Sequence, residues 1–141
     1  IIVKEGSVIS HGFKSIIKGT ANMYLHAERD AINKIIYPQD CKGATLVTTL
    51  EPCIPQLNTS GELRQSVIMK SCCDLIIQEG IEHVVIGHLD SSGCVDKRKG
   101  VNYLRRRGVR VTYLEGFEKK IENLFPKYIQ NQLVARLKGV R

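Results

Sequence analysis

No stretch of this 141-residue sequence is long and apolar enough to span a membrane, and none has the pattern of a secretory signal peptide. No internal repeat or linker divides it, so it is expected to form one domain over residues 1–141, large enough to bury its own core. No cysteine spacing repeats as in a small disulfide framework. The five cysteines, Cys41, Cys53, Cys72, Cys73 and Cys94, are also odd in number. That usage points to an intracellular, reducing compartment, cytoplasmic or nuclear, where some thiols are available to a metal. Acidic residues are the scarcer charge, 14 against 21 basic, which leaves a net charge of +7. A balance of that size suits nucleic acid, phosphorylated small molecules or an ordinary surface, and selects none of them. The first residue is Ile1, already in strand-like sequence, as expected of a domain taken from a longer chain.

What is present is an alternation of strand and helix patterns. "IIVKEGSVISHGF" predicts a hairpin turning at Glu5-Gly6. "KSIIKGTANMY" is irregular and is expected to be loop. From His26 to about Ile36, Ala27, Ala31, Ile32 and Ile35 recur at helical spacing, and Pro38 closes the helix. "ATLVTTL" predicts a buried strand stopped before Pro52. Residues 54–70 are polar-leaning and expected to form a loop. "CCDLIIQEG" predicts a helix stopped by Gly80. "HVVIGH" predicts another buried strand, "LDSSGCVD" a loop, "KRKGVNYLRRRG" a basic helix ended by Gly108, and "VRVTYL" a further strand. Residues 117–141 are expected to be a helical tail broken near Pro126. The order implies an α/β sandwich with a largely parallel sheet behind an antiparallel hairpin.

Three pieces of this pattern carry chemistry. His26-x-Glu28 opens the first helix, where a glutamate favours the positive end of the dipole. Pro52-Cys53 follows a buried strand, the end at which α/β folds place functional groups. Cys72 or Cys73 opens the next helix, where the dipole and free backbone N–H groups stabilise a thiolate. One imidazole and two thiolates suit zinc, and three protein ligands leave a tetrahedral position open for water, as in catalytic rather than structural sites. Zinc lowers the pKa of such a water towards ~7, and Glu28 is placed to hold and pass on its proton.

This is the ligand pattern of zinc nucleobase deaminases, except that eighteen residues rather than two separate Cys53 from the next cysteine. With "HAE" and "TLEPC" in that order and a long insertion before the second cysteine, the sequence resembles the riboflavin-biosynthesis deaminases of the cytidine deaminase superfamily. The resemblance continues through "CCDLIIQEGIEHVVIGHLD" and "KGVNYLRRRGVRV". It implies a three-layer α/β/α sandwich around a five-stranded mixed sheet, a Zn2+ cofactor, and a homo-oligomer. It implies His26, Cys53 and Cys72 as metal ligands and Glu28 as the catalytic proton carrier. The choice of Cys72 over Cys73 rests on the resemblance, because the family's second ligand stands eight residues before the glycine that is Gly80 here. Helical spacing leaves both open. Related deaminases often use a polar residue before the histidine to hold a sugar, which makes Asn22 a candidate substrate contact.

The implied activity is hydrolytic deamination of a cytosine-like or aminopyrimidine ring in a nucleoside, nucleotide or riboflavin precursor. The alternatives are a deaminase acting on DNA or RNA and a zinc-holding binding module without turnover. For the nucleic-acid alternative the basic stretch Lys97–Lys99 and Arg105–Arg107 is the candidate contact, though few aromatics accompany it for base stacking. Cys41, Cys94, His11 and His83 have no metal role in this reading, and His88, at a strand end, is near enough in sequence pattern to approach the site. The family's Gly-, Thr- and Pro-containing segment is replaced here by "IPQLNTSGELRQSVIMKS". Its first helix would lie upstream of Ile1, and the reductase domain that often follows is expected to be missing.

Overall fold

A computed structural model of the chain describes residues 1–17, 24–55, 70–89 and 99–124. Strands β1 (Ile2–Lys4) and β2 (Ser7–Ser10) form the expected hairpin, with positive φ at both Glu5 and Gly6, the geometry that matches the twist of a two-residue turn. The segment expected to be loop instead contributes two short strands, β3 (Ser15–Ile16) and β4 (Tyr24–Leu25), which pair with each other. Two residues are too few to leave a periodic signal in a sequence.

Helix α1 (Ala27–Asn33) begins at an N-cap that is His26 itself. It ends three residues earlier than its apolar spacing suggested. Pro38 disfavours the helical region for the residue before it, and Tyr37 is extended, with Pro38 opening a 3-10 turn over Pro38–Asp40. Strand β5 (Thr45–Leu50) follows, then α2 (Cys72–Gln78) and β6 (His83–His88). Helix α2 closes on Gly80 at φ 70°. The N–H of Ile81 donates to the Ile76 carbonyl and that of Gly80 to Ile77, a C-cap that requires the left-handed conformation a glycine takes without steric cost. Helix α3 (Lys99–Arg105), strand β7 (Arg110–Tyr113) and helix α4 (Glu118–Leu124) complete the described elements.

The main sheet runs β2-β1-β5-β6-β7. β1 is antiparallel to both neighbours, and β5, β6 and β7 are parallel. One face presents Ile2, Leu46, Val84, Ile86 and Val111 to Ala31 and Ile32 of α1, Leu75 and Ile76 of α2, and Val101 and Leu104 of α3, in one buried cluster. Strand alternation puts Gly87 on the opposite face from Ile86. There Ile121 of α4 lies so close that a Cβ on Gly87 would meet its Cδ1 at 2.4 Å. The result is three layers, helices on both faces of a mixed five-stranded sheet. No helix among the described residues is long and apolar enough to cross a membrane. In the tail, Ile121 is buried while Phe117 and Leu124 are exposed, and residues 125–141 lie outside the described residues.

Candidate metal centre and active site

The parallel strands β5 and β6 point the same way, so the segment after β5 and the helix feeding β6 meet at one edge of the sheet. Cys53 sits three residues past β5. Cys72 is the first residue of α2, fixed by a cap in which the Ser71 hydroxyl accepts from the Asp74 N–H (3.1 Å) and donates to Asp74 Oδ2 (2.9 Å). His26 caps α1 beside them. The ligand atoms of His26, Cys53 and Cys72 all lie within 4.8 Å of one another, the one group of His, Cys and carboxylate atoms so gathered among the described residues.

The contacts inside the cluster are those of polarised thiols. Cys72 Sγ is 3.5 Å from His26 Nδ1, and the Cys72 backbone N–H donates to Cys53 Sγ at 3.2 Å. The Cys53 thiol is drawn well below its ordinary pKa, first by the hydrogen bond from Cys72 and then, against the cost of burial, by the bond with His26. Cys72, as donor in that pair, is pushed up by the same bond and by burial. The His26 imidazole is raised, chiefly by its hydrogen bond with Cys53. An imidazole and two sulfurs gathered within 4.8 Å of one another form a donor set that suits zinc.

Cys73 is turned away from this cluster. Its Sγ reaches the carbonyl of Pro52 at 3.4 Å and that of Gly100 at 4.0 Å, and burial pushes its thiol up. The geometry therefore separates the two adjacent cysteines, one facing the histidine and one facing the core.

Glu28 projects from the first turn of α1 and is 8% exposed. Its Oε1 accepts from the Thr48 hydroxyl at 3.1 Å, and its Oε2 is 3.8 Å from Cys72 Sγ. Burial raises its pKa, against the lowering influence of hydrogen bonds and of His26, which moves a carboxyl toward the range useful for proton transfer near neutrality.

The remaining candidates lie elsewhere. Cys41 is buried in the core on the turn before β5. His11 packs its ring against Phe13, and His83 pairs with Thr112. The ring of His88 reaches Glu122 of α4 at 3.2 Å and the Leu89 carbonyl at 2.7 Å, so it joins the tail helix to β6. Asn22, Cys94, Lys97 and Arg98 lie outside the described residues. In the basic stretch, Arg105 donates to the Val111 carbonyl and Arg107 lies 3.5 Å above the Tyr103 ring, so both serve the packing of α3.

Two contributors carry no role in the sequence reading. Thr48 was one β-branched residue of a buried strand, although the alternation Leu46, Thr48, Leu50 places it on the helix-bearing face. Glu51, quoted within "TLEPC", is 3% exposed and accepts from the Val101 N–H at 2.9 Å.

A family model of the cytidine and deoxycytidylate deaminase zinc-binding region matches residues 1–88. The chain is 35% identical over 136 residues to the riboflavin biosynthesis protein RibD of Actinobacillus pleuropneumoniae, over 94% of this chain and 31% of that protein. It is 35% identical over 133 residues to the diaminohydroxyphosphoribosylamino-pyrimidine deaminase of Buchnera aphidicola, over 86% of this chain and 82% of that protein. Among solved structures, the diaminohydroxyphosphoribosylaminopyrimidine deaminase/5-amino-6-(5-phosphoribosylamino)uracil reductase of Thermotoga maritima matches with a TM-score of 0.72 and 31% identity, over 94% of this chain and 33% of that one. The chain thus spans about a third of the RibD and Thermotoga proteins and most of the Buchnera protein.

Proposed function

We propose a function from the premise that the chain belongs to the cytidine and deoxycytidylate deaminase zinc-binding family: it is a zinc-dependent hydrolase that deaminates an aminopyrimidine ring in a phosphoribosylated riboflavin precursor. The observation that carries this reading is the meeting of His26, Cys53 and Cys72 beside a buried Glu28, in a chain 35% identical to a diaminohydroxyphosphoribosylamino-pyrimidine deaminase over 82% of that enzyme.

His26, Cys53 and Cys72 would hold zinc, which when bound supplies a Lewis acid that makes water a nucleophile at neutral pH. Glu28 takes the proton that water gives up. It delivers that proton to the ring nitrogen as the water oxygen bonds the ring carbon, then carries the proton of that new hydroxyl to the amine, so that the C–N bond breaks, a C=O forms, and one water enters as one ammonia leaves. Burial keeps Glu28 basic enough for the first transfer, and Thr48 holds one carboxylate oxygen while the other faces the cluster. Solvent is kept from this carboxyl by the packing of α1 on β5.

The test is ammonia release from purified protein on a panel of the phosphoribosylated diaminopyrimidine, free cytidine nucleotides and single-stranded oligonucleotides. Turnover confined to the aminopyrimidine supports the reading. Turnover on oligonucleotides alone, with affinity that falls steeply with salt, would replace it with a nucleic-acid function. Zinc in place and no turnover on any of them would favour a binding module.

Self-association belongs to the same proposal. Val8 and Ile9 on β2, the edge strand among the described residues, are exposed, as are Phe117 and Leu124 of the tail helix, and an exposed apolar edge is a surface that a second copy can cover. Sedimentation at micromolar concentration should show an oligomer, and a monomer there would remove this part of the proposal.

A further inference from the structure

Both thiol-bearing segments of the site are tied to helix α3. On the Cys53 side, the Glu51 carboxylate accepts from the Val101 N–H at 2.9 Å. Gly100 lies so close to the Pro52 carbonyl that a Cβ there would sit 2.5 Å from its oxygen. On the Cys72 side, the Tyr103 hydroxyl donates to Asp74 Oδ1 at 2.6 Å, while Asp74 Oδ2 accepts from Ser71, the residue before Cys72. Between the two, the Cys73 thiol reaches the Pro52 and Gly100 carbonyls. The cysteine segments also meet directly, since the Cys73 N–H donates to the Cys53 carbonyl at 3.0 Å.

We propose that α3 is a brace that sets the separation and orientation of the two sulfurs, with Tyr103 and Glu51 as positioning residues for the metal centre. The inference rests on the metal reading of His26, Cys53 and Cys72. Its physical basis is that each sulfur sits on a short connecting segment. Cys53 follows a strand end and Cys72 is the first residue of a helix. Residues 51–55 and 70–71, which flank the two cysteines, belong to no helix or strand. Tyr103 reaches the second through the half-buried Asp74 carboxylate, which also holds the hydroxyl of the N-cap Ser71, so a displacement of α3 is passed to Ser71 and from there to Cys72. Glu51 does the same for Pro52 and Cys53. Groups hydrogen-bonded directly to metal ligands commonly change metal affinity 10- to 100-fold when lost, and the brace, one bond further out, is set at the lower end of that scale. Arg107, stacked on the Tyr103 ring, holds the phenol in place from the solvent side.

The experiment uses cobalt as a spectroscopic substitute for zinc in the full chain. Tyr103→Phe removes one hydroxyl and keeps the ring under Arg107. The expected result is a shifted sulfur-to-cobalt absorption band and release of zinc to a chelator at least about 10-fold faster than wild type, with the circular dichroism of the fold unchanged. Arg105→Ala is the comparison, because it removes another α3 contact, that to Val111, which lies on β7 rather than on a cysteine-bearing segment. It should leave the band where it is. Glu51→Gln, which keeps an oxygen for Val101 but loses the charge, should fall between the two. A Tyr103→Phe protein with the wild-type band and release rate would overturn the brace, as would an equal shift from Arg105→Ala. A wild-type protein that takes up no cobalt or zinc would overturn the metal reading itself, and the brace with it.

Discussion

The Thr48 hydroxyl stands 3.1 Å from Glu28 Oε1 and 3.0 Å from the carbonyl of Leu50. It has one proton and two acceptors in reach, and the carboxylate is the stronger acceptor because it is charged. The bond steers one oxygen of Glu28 onto the sheet and leaves the other toward Cys72 Sγ. Thr48→Val keeps the shape and removes the donor. The expected outcome is normal zinc content with turnover reduced about tenfold, the scale of a hydrogen bond to a charged group. Unchanged turnover would show that α1 alone orients Glu28.

The two adjacent cysteines give the sharpest contrast. Cys72→Ser should purify without zinc, because an uncharged hydroxyl replaces one of two sulfur donors. Cys73→Ser should keep its zinc, since its side chain faces the Pro52 and Gly100 carbonyls and a hydroxyl still donates to them. Metal analysis of the two proteins decides it. Zinc in the first and none in the second would exchange their roles.

Glu28→Gln separates binding from chemistry. Glutamine keeps the Thr48 contact and the size of the side chain but cannot carry a proton. Zinc content and thermal stability should stay close to wild type, while turnover falls by the 100-fold or more that general acid–base groups typically contribute. Retained turnover would leave Glu28 with only its helix-start position to explain it.

How much of this was legible beforehand follows from what each feature leaves in a sequence. The order of major elements was readable because β5, β6 and helices α1, α2 and α3 each carry several apolar residues at a fixed period. The short pair β3 and β4 was not, since two residues have no period. The end of α1 was misjudged because Ile35 and Ile36 extend the apolar run, while the effect of Pro38 on Tyr37 acts through backbone sterics. His26, Glu28 and Cys53 stand in short local motifs and were visible at once. The difference between Cys72 and Cys73 depends on which way the first turn of α2 faces, and spacing within the helix is the same for both. Thr48, Glu51 and Tyr103 act across the fold, over 20 to 50 residues of sequence, and nothing local marks them. The cap that Ser71 and Asp74 form, and its extension to Tyr103, had no part in the sequence reading.

Asp30 offers a pH test away from the metal. Its carboxylate takes a hydrogen bond from Lys34 at 2.7 Å and another from the Phe13 N–H at 3.0 Å. Together, Lys34 first, these hold its pKa below the ordinary 3.8. A carboxyl with a depressed folded-state pKa stabilises the fold above its unfolded pKa and loses that contribution as the pH falls through the folded value. Asp30→Asn should therefore melt below wild type at neutral pH, and the gap should close as the pH drops below 3.8. A gap that stays constant into acid would mean that the charge of Asp30 contributes nothing.

Gly12 is where the hairpin meets the helix that carries Glu28. A Cβ there would lie 2.1 Å from the Ala27 carbonyl oxygen and 2.4 Å from the Ala31 nitrogen. Both are backbone atoms of α1, and neither can rotate aside. On either side of Gly12 the chain is pinned to the same helix, by the Ser10 hydroxyl on the Ala31 carbonyl at 2.6 Å and by the Phe13 N–H on Asp30. Gly12→Ala must therefore lift the segment from α1 or push α1 toward β5, and overpacking of this kind typically costs about 1–3 kcal/mol. The melting temperature should fall by several degrees. Because Ala27 lies between His26 and Glu28, turnover of the protein that stays folded should also fall below wild type. A Gly12→Ala protein with wild-type melting and turnover would show that the hairpin can move away from α1 at no cost, and that the position of Glu28 does not depend on it.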